Sequence, residues 1–509
     1  MSEIAANRKR IAKNTMALYV RMFISMVIGI YTSRVVLEVL GISDYGIYTI
    51  VGSITAMMAF LNATMSGATS RFLSFSIGKT DREELNKTFS SVLIVHIIIA
   101  VIFLILAESI GVVVLNKFLV IPEDRMTIAN IIYQISIVSC VLSILTTPYT
   151  SEIISHERLT FFAYLDIINS VLKLAIVYLL STINYDKLVL YALLLLAVSV
   201  LISLTYFIYC KKNFEEVNSK LQYNKKSIKE IFSFAGYNLI GNIGPIFNTQ
   251  GTNYCINIFF GITFNAAVGI ATTISSTVNS FSANILTAFR PAIIKAYAKD
   301  DISETEKLSR LSIVLSTLLI GLIIVPIATN IKYILEIWLV KVPPLTATFT
   351  IFILADLIFL NIRYILTILI HAYGKVKVNS TCSGILYLIN PVITYFLLKL
   401  GCPAYYAFIG AVIINIALTV LYLFLIKSYI PSLAILRISK SIVVSVVLIL
   451  IGLIVSVFMK QIYNSDLLCL AGTLLSNSVF LCILFLLFGT NNNERLILKN
   501  YLLHFLHKA

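Results

Sequence analysis

Four arginines within or at the ends of long apolar segments offer the clearest chemistry in this 509-residue chain. Arg71 and Arg290 end two such segments at equivalent points of the two halves of the sequence. Because a guanidinium group binds phosphate through paired hydrogen bonds, both suit a phosphate group in the inner leaflet of a membrane. The simpler interpretation is that each anchors its helix at the interface. Arg21 and Arg34 share the first segment, and Arg34 is near enough to its end to snorkel.

Two acid–base pairs lie deeper in the apolar segments. An ionisable side chain there costs about 2.5–3.5 kcal/mol on insertion scales and therefore needs a reason. Asp166 and Lys173 are seven residues apart, as are Asp356 and Arg363, so both members of each pair share one helical face. Either the pairs neutralise charge between packed helices or they line a cavity. In a cavity, Asp166, Lys173 and Asp356 become candidates for coupling to H⁺ or Na⁺.

The seventh apolar segment contains a series of side-chain amides. Five of them fall within an arc of about 120° on one helical face. They are Asn238, Asn242, Gln250, Asn253 and Asn257. Hydrogen bonds between helices can use some of these groups, but a water-filled wall accounts better for so many. Since amides suit sugar hydroxyls, we predict that this face binds the polar part of a substrate.

The elements that position these residues are predicted to be transmembrane helices. The mean hydropathy is +0.94, 59% of the residues are hydrophobic and 12% are charged, roughly half the charged fraction of a soluble protein. Apolar runs of about twenty residues, enough to cross a hydrocarbon core, recur throughout. The sequence predicts an all-α polytopic membrane protein of about fourteen transmembrane helices. The predicted spans are 14–37, 45–70, 87–115, 126–148, 161–183, 187–210, 230–258, 264–289, 309–337, 345–371, 378–399, 404–427, 437–459 and 466–489.

The distribution of basic residues predicts the orientation. The net charge is +15, but a nucleic-acid partner would require one basic soluble face, and no soluble domain is long enough to form one. Lys and Arg are instead concentrated in short loops on one side, which the positive-inside rule assigns to the cytoplasm. Both termini are then cytoplasmic, and the number of spans is even. The first helix is expected to be a retained anchor, because no cleavage site follows it.

The chain also repeats itself at a spacing of about 220 residues. Gly41-Ile42-Ser43 recurs as Gly261-Ile262-Thr263, and Lys79-Thr80-Asp81 recurs as Lys299-Asp300-Asp301. Six spans separate the copies, which predicts two parallel six-helix bundles around a central cavity, plus a C-terminal helix pair. The predicted boundaries are 1–13 (cytoplasmic tail), 14–210 and 230–427 (bundles), 211–229 (basic cytoplasmic linker) and 428–509 (extra helix pair and tail).

Enzymatic chemistry finds no support in the sequence. It has no Walker-type phosphate loop, no HExxH motif and no nucleophile–His–acid arrangement. Its seven cysteines form no CxxC pair, so we expect no metal and no cofactor other than a coupling ion. A polysaccharide polymerase or ligase would need a large external loop, whereas the loops on that side have about ten residues or fewer. A purely structural scaffold would not explain the polar seventh segment.

The start of the chain combines arginines within the first span with Gly41 and a following Tyr45-Gly46. The segment reads KNTMALYVRMFISMVIGIYTSRVVLEVLGISDYGIYTIVGSI. It resembles Wzx-type polysaccharide (O-antigen or capsule) repeat-unit flippases of the multidrug/oligosaccharidyl-lipid/polysaccharide exporter superfamily. The resemblance implies that undecaprenyl-pyrophosphate-linked oligosaccharide moves from the inner to the outer leaflet of a bacterial inner membrane by alternating access. A multidrug exporter of the same superfamily is the alternative, although an acidic cavity and twelve spans would then be expected.

The same resemblance implies specific roles and partners. Cationic cavity residues would hold the pyrophosphate, and the residues so proposed are Arg21, Arg34, Arg71, Arg290 and Arg363. The last two spans would form a groove for the lipid tail. Glycosyltransferases and a polysaccharide polymerase are the protein partners that the resemblance implies.

Overall fold

The computed structural model describes residues 2–58, 60–78, 81–180, 183, 185–462 and 465–485. All regular secondary structure in these ranges is helical, including two π-helical turns between α3 and α4 and one 3-10 turn between α6 and α7. The α-helices are α1 Ser2–Met58, α2 Phe60–Gly78, α3 Arg82–Leu106, α4 Glu123–Ser155, α5 Leu159–Leu180, α6 Lys187–Asn213, α7 Lys225–Phe260, α8 Ile262–Ala298, α9 Ile302–Thr329, α10 Ile331–Trp338, α11 Thr346–Ala372, α12 Val376–Lys399, α13 Tyr406–Tyr429, α14 Ile435–Ile462 and α15 Asp466–Leu484.

Length and composition make this a multi-pass membrane protein. Among the described residues, ten helical stretches are long and apolar enough to cross a membrane. The prediction of an all-α polytopic fold is therefore confirmed, and the described part of each predicted span is largely helical. The count of fourteen spans and the cytoplasmic location of the termini stay predictions.

The internal repeat is visible in the backbone. Gly41 bends α1 with φ 78° and ψ 171°, and Gly261 joins α7 to α8 with φ 80° and ψ −177°. Residues with a Cβ avoid this region, so glycine is needed at both positions. Asp81 and Asp301 also have the same role, because each caps the next helix, α3 or α9, with its carboxylate. Both pairs of equivalent residues were predicted from the sequence.

The chain packs as two compact units. The first consists of Met1–Gly269, Leu339–Pro344 and Ser383–Ala404, and the second of Ile270–Trp338, Leu345–Cys382 and Tyr405–Ala509. In the first unit α1 packs on α5 and α4 packs on α6, whereas in the second α11 packs on α13 and α9 packs on α14. These units group helices by packing, while the predicted bundle boundaries follow chain order and stay predictions.

Small residues bring α7 and α12 close together within the first unit. A Cβ on Gly244 would lie 2.7 Å from the Cα of Gly384, and one on Gly251 would meet the ring of Pro391. Between these contacts the Asn390 amide donates to Asn248 Oδ1 at 2.6 Å. Close backbone approach with a buried amide bond is a typical way for membrane helices to associate. It fixes the orientation of the predicted amide face.

Candidate functional site

The centre of the candidate site is an ion pair between α1 and α5. Arg21 Nη1 lies 3.4 Å from Asp166 Oδ2, and both side chains are partly exposed. Ser25 donates to the same carboxylate oxygen at 3.5 Å, and Ser170 donates to Ser25 at 3.1 Å. The guanidinium also lies 5.1 Å from the centre of the Phe162 ring, a cation–π contact. The Arg21 Nε has no hydrogen-bond partner among the described residues, so one donor of this cation is unused.

A polar cavity of about 290 Å³ lies between α4, α5 and α6, next to this ion pair. Its size is near the lower limit for small-molecule sites. Tyr206 connects the two features, since it lines the cavity and interacts electrostatically with Arg21 and Asp166. The cavity is lined by Ser139, Ser143, Thr146, Thr147, Thr150, Asn169, Lys173, Ser199, Ile202, Ser203 and Tyr206.

The hydrogen bonds of the cavity wall determine what it offers a ligand. The hydroxyls of Ser139, Thr150 and Ser199 each donate to a carbonyl oxygen of their own helix. Their protons are thus engaged, and the oxygen lone pairs remain available as acceptors. Lys173 adds an ammonium group with three donor hydrogens. The wall therefore combines several neutral acceptors with one charged donor.

The two members of the first predicted acid–base pair, Asp166 and Lys173, have different surroundings. Asp166 and Lys173 share one face of α5 as expected, but the Asp166 carboxylate bonds across to Arg21, whereas Lys173 faces the cavity. The cross-helix partner was not apparent from the sequence, because two residues distant in the chain must be brought together by the packing of α1 on α5. Arg21, Asp166 and Lys173 thus belong to one continuous polar region.

The second predicted pair lies in the second unit on α11. Arg363 acts electrostatically on the Asp356 carboxylate, consistent with one shared helical face. Asn415 of α13 donates to Asp356 Oδ1 at 2.5 Å. The sequence analysis did not identify Asn415, which belongs to an otherwise apolar helix. Asp356 is thus held between two helices that pack closely on each other.

The other predicted arginines are placed differently. Arg34 is half-buried on α1, and Arg71 is exposed on α2. Neither lines the cavity between α4, α5 and α6. Arg290 is exposed on α8, where it acts electrostatically on His371 of the same unit. A pyrophosphate-binding role for these arginines and for Arg363 stays a prediction.

Two of the predicted amides of α7, Asn253 and Asn257, belong to a buried hydrogen-bond network. The Asn257 amide donates to Asn265 Oδ1 at 2.8 Å, and the Asn265 amide donates to Asn253 Oδ1 at 2.8 Å. Asn257 Oδ1 also accepts from the backbone N–H of Val120 at 2.7 Å. Asn253, Asn257 and Asn265 are all buried. Hydrogen bonding between helices, to which the sequence analysis gave less weight than a water-filled wall, accounts for these groups.

The remaining residues of the predicted amide face are Gln250, Asn238 and Asn242. Gln250 is half-buried. The side chains of Asn238 and Asn242 lie outside the described residues. Asn248, which falls outside the predicted arc, is buried against α12 through Asn390. The substrate-binding role predicted for this face stays a prediction.

Residues that the sequence analysis missed form most of the cavity wall. Along α4, Ser139, Ser143, Thr146 and Thr150 are spaced by four, three and four residues, which places them on one helical face. This spacing could have predicted a polar face on α4 from the sequence alone. Hydroxyls are inexpensive in an apolar helix because each can bond to its own backbone. For that reason they attract less notice in a sequence than charged residues do.

A second ionic cluster connects α1, just after its bend at Gly41, to the start of α4 and the N-cap of α6. Arg125 Nε donates to Asp44 Oδ1 at 3.0 Å, and Arg125 Nη1 donates to Asp186 Oδ2 at 2.5 Å. Asp186 also caps α6 through the N–H groups of Leu188 and Val189. Partial burial raises the pKa of Asp186, but the bonds from Arg125 and from the two N–H groups lower it further, so the net pKa is below its ordinary value. The arrangement is a structural clamp.

A protein-family model described as "Polysaccharide biosynthesis protein" matches residues 11–296. The chain belongs to this family. The match extends over most of the chain from α1 to α8 and includes Arg21, Asp166 and the cavity between α4, α5 and α6. No curated protein matches this chain in sequence.

Solved structures share the fold of this chain. A structure of the lipid II flippase MurJ in an inward closed conformation has a TM-score of 0.67 at 15% identity, covering 94% of this chain and 99% of that one. An inward-facing multidrug resistance MATE family transporter of the MOP superfamily gives 0.64 at 14% identity, with 81% and 95% covered. An outward-facing MATE family structure gives 0.56 at 14% identity, with 83% and 96% covered. These similarities show that the chain shares its fold with transporters of these kinds.

Proposed function

We propose that the protein flips undecaprenyl-pyrophosphate-linked oligosaccharide from the inner to the outer leaflet of the bacterial inner membrane by alternating access. The observation that supports this most directly is the polar region of the first unit. There Arg21 and Lys173 lie beside a hydroxyl-lined cavity within a member of the polysaccharide biosynthesis protein family. Charged side chains in membrane-spanning helices are costly, so a region that combines them with a polar cavity supports a function in transport.

The two parts of the substrate match two parts of this region. The pyrophosphate is a dianionic group that suits a partly exposed guanidinium such as that of Arg21. The sugars present many hydroxyl donors, which the oxygen lone pairs of the cavity wall can accept. Lys173, on the cavity wall, suits an acidic sugar or a phosphate oxygen. A cationic drug would be repelled by the positive charges of Arg21 and Lys173.

Coupling to an ion follows from the partner of Arg21. When a phosphate replaces Asp166 at the guanidinium, the carboxylate is left in an environment of low dielectric without its cation. Uptake of H⁺ or Na⁺ by Asp166 would then stabilise the loaded state, so that substrate and ion favour each other's binding. Asp356, which acts with Arg363 and Asn415, is the corresponding candidate in the second unit.

The wider setting of the proposal follows from the substrate. Glycosyltransferases must build the oligosaccharide on its lipid carrier before it is flipped, and a polymerase must consume it afterwards. The lipid tail requires an apolar surface, and α14 with α15 is the proposed groove, since exposed apolar residues such as Val447, Ile454 and Leu475 occur along both helices.

The experiment is transport in proteoliposomes made with a fluorescent undecaprenyl-pyrophosphate oligosaccharide. Flipping is measured as the loss of label accessibility on one leaflet. The native protein should flip this lipid, and Arg21→Ala and Lys173→Ala should each slow flipping at least about tenfold, because each removes a charge-assisted contact of about 1.5–3 kcal/mol. The matched control is Arg82→Ala, because Arg82 is an exposed arginine that pairs with Glu215 outside the cavity.

Two results would overturn the proposal. One is export of a cationic dye by the native protein without flipping of any lipid-linked sugar, which would assign it to multidrug export. The other is native flipping that Arg21→Ala, Lys173→Ala and Arg82→Ala all leave unchanged, which would remove the site from the substrate path. Gradients of H⁺ and of Na⁺, applied separately, test coupling, and Asp166→Asn and Asp356→Asn should abolish the response to the active gradient.

A further inference from the structure

Two acidic side chains and one histidine meet where α4 ends. Glu152 and His156 lie one helical turn apart, and Glu216 belongs to the 3-10 turn that follows α6. His156 Nε2 lies 3.0 Å from Glu152 Oε1 and 2.7 Å from Glu216 Oε1. One nitrogen and two carboxylate oxygens, one from each residue, all lie within 4.8 Å of one another. Two segments that are far apart in the sequence thus supply three atoms of the type that binds metal ions.

The cluster is buried to an unusual degree for its charge. The Glu152 side chain has no exposed surface, and the Glu216 side chain is 7% exposed. Glu152 Oε2 is buried without a hydrogen-bond partner. A buried carboxylate oxygen without a partner is costly, because it has lost water and gained nothing in return. This oxygen belongs to the same carboxylate that contacts His156, so the unsatisfied acceptor is part of the cluster.

The imidazole is fixed in the orientation that the cluster requires. The Phe214 ring stacks on His156 with centroids 4.3 Å apart and planes inclined by 14°. Phe214 immediately precedes the segment that carries Glu216, so the same turn supplies the stacking ring and the second carboxylate. A ligand that is held rigidly before an ion arrives loses less conformational freedom on binding.

We propose that Glu152, His156 and Glu216 form a binding site for a divalent transition-metal ion, with zinc as the best match. In a tetrahedral site with ligand distances of about 2.0–2.2 Å, neighbouring donor atoms are about 3.3 Å apart. The separations of 3.0 and 2.7 Å are shorter than this value, so the donor atoms would have to move apart by roughly half an ångström. A water molecule would complete the coordination. Two carboxylates and a neutral imidazole carry two negative charges, which a divalent ion neutralises.

The competing occupant of the cluster is a proton. Burial lowers the pKa of His156, but the hydrogen bonds to the two carboxylates outweigh this and raise it to about 9. An imidazolium between two carboxylates leaves one negative charge in a buried place unless a second proton occupies the cluster, and Glu152 Oε2 has no hydrogen-bond partner among the described residues. A metal ion would take the place of these protons. Glutamate and histidine ligands without cysteine favour zinc or manganese over soft ions such as Cu(I).

A bound ion would connect the start of the linker to α4. Lys211 and Lys212 lie in the last turn of α6, and Lys220 follows the turn that holds Glu216. With Glu152 on α4 and His156 at its C-terminal cap, an ion would tie this basic segment to the helix whose hydroxyls line the cavity. The site belongs to the first unit and is separate from the ion pair of Arg21 and Asp166.

The test is metal binding by the purified full chain, prepared without a histidine tag and stripped with a chelator. Zinc or cobalt is added alone, binding is measured by calorimetry, and cobalt coordination is read from its visible absorption. We expect one ion per chain, with affinity reduced at least about tenfold in Glu216→Gln and in His156→Ala. Glu215→Gln is the matched control, because the neighbouring Glu215 carboxylate is 79% exposed and pairs with Arg82.

Folding is checked separately, so that loss of binding is not confused with loss of structure. Each variant must elute as the native protein does in size-exclusion chromatography before its affinity is compared. Zinc should also raise the unfolding temperature of the native protein and of Glu215→Gln but not that of Glu216→Gln. Absence of stoichiometric binding to the native chain would overturn the proposal, and so would equal binding by Glu216→Gln and Glu215→Gln.

Discussion

Arg21 Nη1 and Asp166 Oδ2 are 3.4 Å apart and join α1 to α5 in the first unit. The pair satisfies two charges that would otherwise be expensive in an apolar setting. It also keeps a guanidinium next to the cavity with one donor unused. A structural role and a substrate-binding role for Arg21 are both compatible with this geometry, and charge reversal distinguishes them.

The reversed pair Arg21→Asp with Asp166→Arg should recover stability without recovering transport. Each single substitution leaves one uncompensated charge and should lower the unfolding temperature, whereas the double variant restores the attraction. Flipping should remain at least about tenfold below native, because the cation now projects from α5 instead of α1. Stability is measured by thermal unfolding in detergent and flipping in proteoliposomes. Recovery of native flipping by the double variant would show that only the helix contact matters.

Filling the cavity should impair transport of long glycans more than of short ones. Ser139→Leu and Ser199→Leu each replace a small acceptor on the wall by a larger apolar group. Flipping of an undecaprenyl-pyrophosphate oligosaccharide should fall several-fold, while a carrier with one sugar should be less affected. Ser109→Leu is the control, because the Ser109 hydroxyl also bonds to its own helix but is exposed away from the cavity. Equal effects of the three variants would contradict the prediction.

Asn265→Ala should destabilise the protein more than a comparable exposed substitution. The Asn265 side chain bonds to both Asn253 and Asn257, and its loss removes one hydrogen bond from each of these buried amides. The expected cost is about 1–3 kcal/mol, visible as a lower unfolding temperature. Asn130→Ala serves for comparison, because it removes the exposed amide pair with Asn116. An equal or larger effect of Asn130→Ala would show that the buried network contributes little.

The two glycines of the repeat should respond alike to alanine. Gly41→Ala and Gly261→Ala force a Cβ into a backbone region that is essentially restricted to glycine, at a cost of about 1–3 kcal/mol each. Gly29→Ala is the control, because Gly29 is helical and has no atom within 4 Å of its added Cβ. There alanine should be neutral or slightly stabilising. Thermal unfolding of the three variants provides the comparison, and a tolerant Gly41 or Gly261 would contradict the prediction.

Acid should weaken the clamp between Arg125 and Asp186. Because the folded-state pKa of Asp186 is lowered, its charge stabilises the fold above the unfolded pKa of about 4, and this stabilisation is lost as the pH falls through the folded value. Asp186→Asn keeps the helix cap and removes the charge. The native protein should therefore be the more stable at neutral pH, and the difference should shrink in acid. A difference that does not change with pH would exclude the charge as its cause.

Sequence reasoning was most successful where the physical cause is local. Gly41 and Gly261 bend the backbone, and Asp81 and Asp301 cap helices, through atoms that belong to the residues themselves and their near neighbours. Apolar runs likewise specify helices without reference to anything distant. Both copies of the repeat keep the glycine and the aspartate because each copy contains the same bend and the same helix start.

The candidate site was only partly predictable, since its contacts depend on which helices become neighbours. Lys173 could be placed on a helical face, but its cavity exists only because α5 meets two helices, α4 and α6, that supply hydroxyls. Asn253 and Asn257 were correctly recognised as unusual, yet Asn265 of α8, which satisfies them, became evident only from packing. A polar face in a sequence does not reveal whether water or another helix covers it.

The close packing of Gly244 and Gly384 has a consequence for how the protein is made. Through such contacts, α7 and part of α12, which are synthesised after the first six helices, complete the first unit. That unit cannot reach its final state until the ribosome has translated residue 404, the last that it requires. During synthesis, the helices that are translated first therefore lie in the bilayer without the packing contacts that α7 and α12 later provide. A nascent chain stalled after α6 should therefore be an early target for membrane chaperones and proteases.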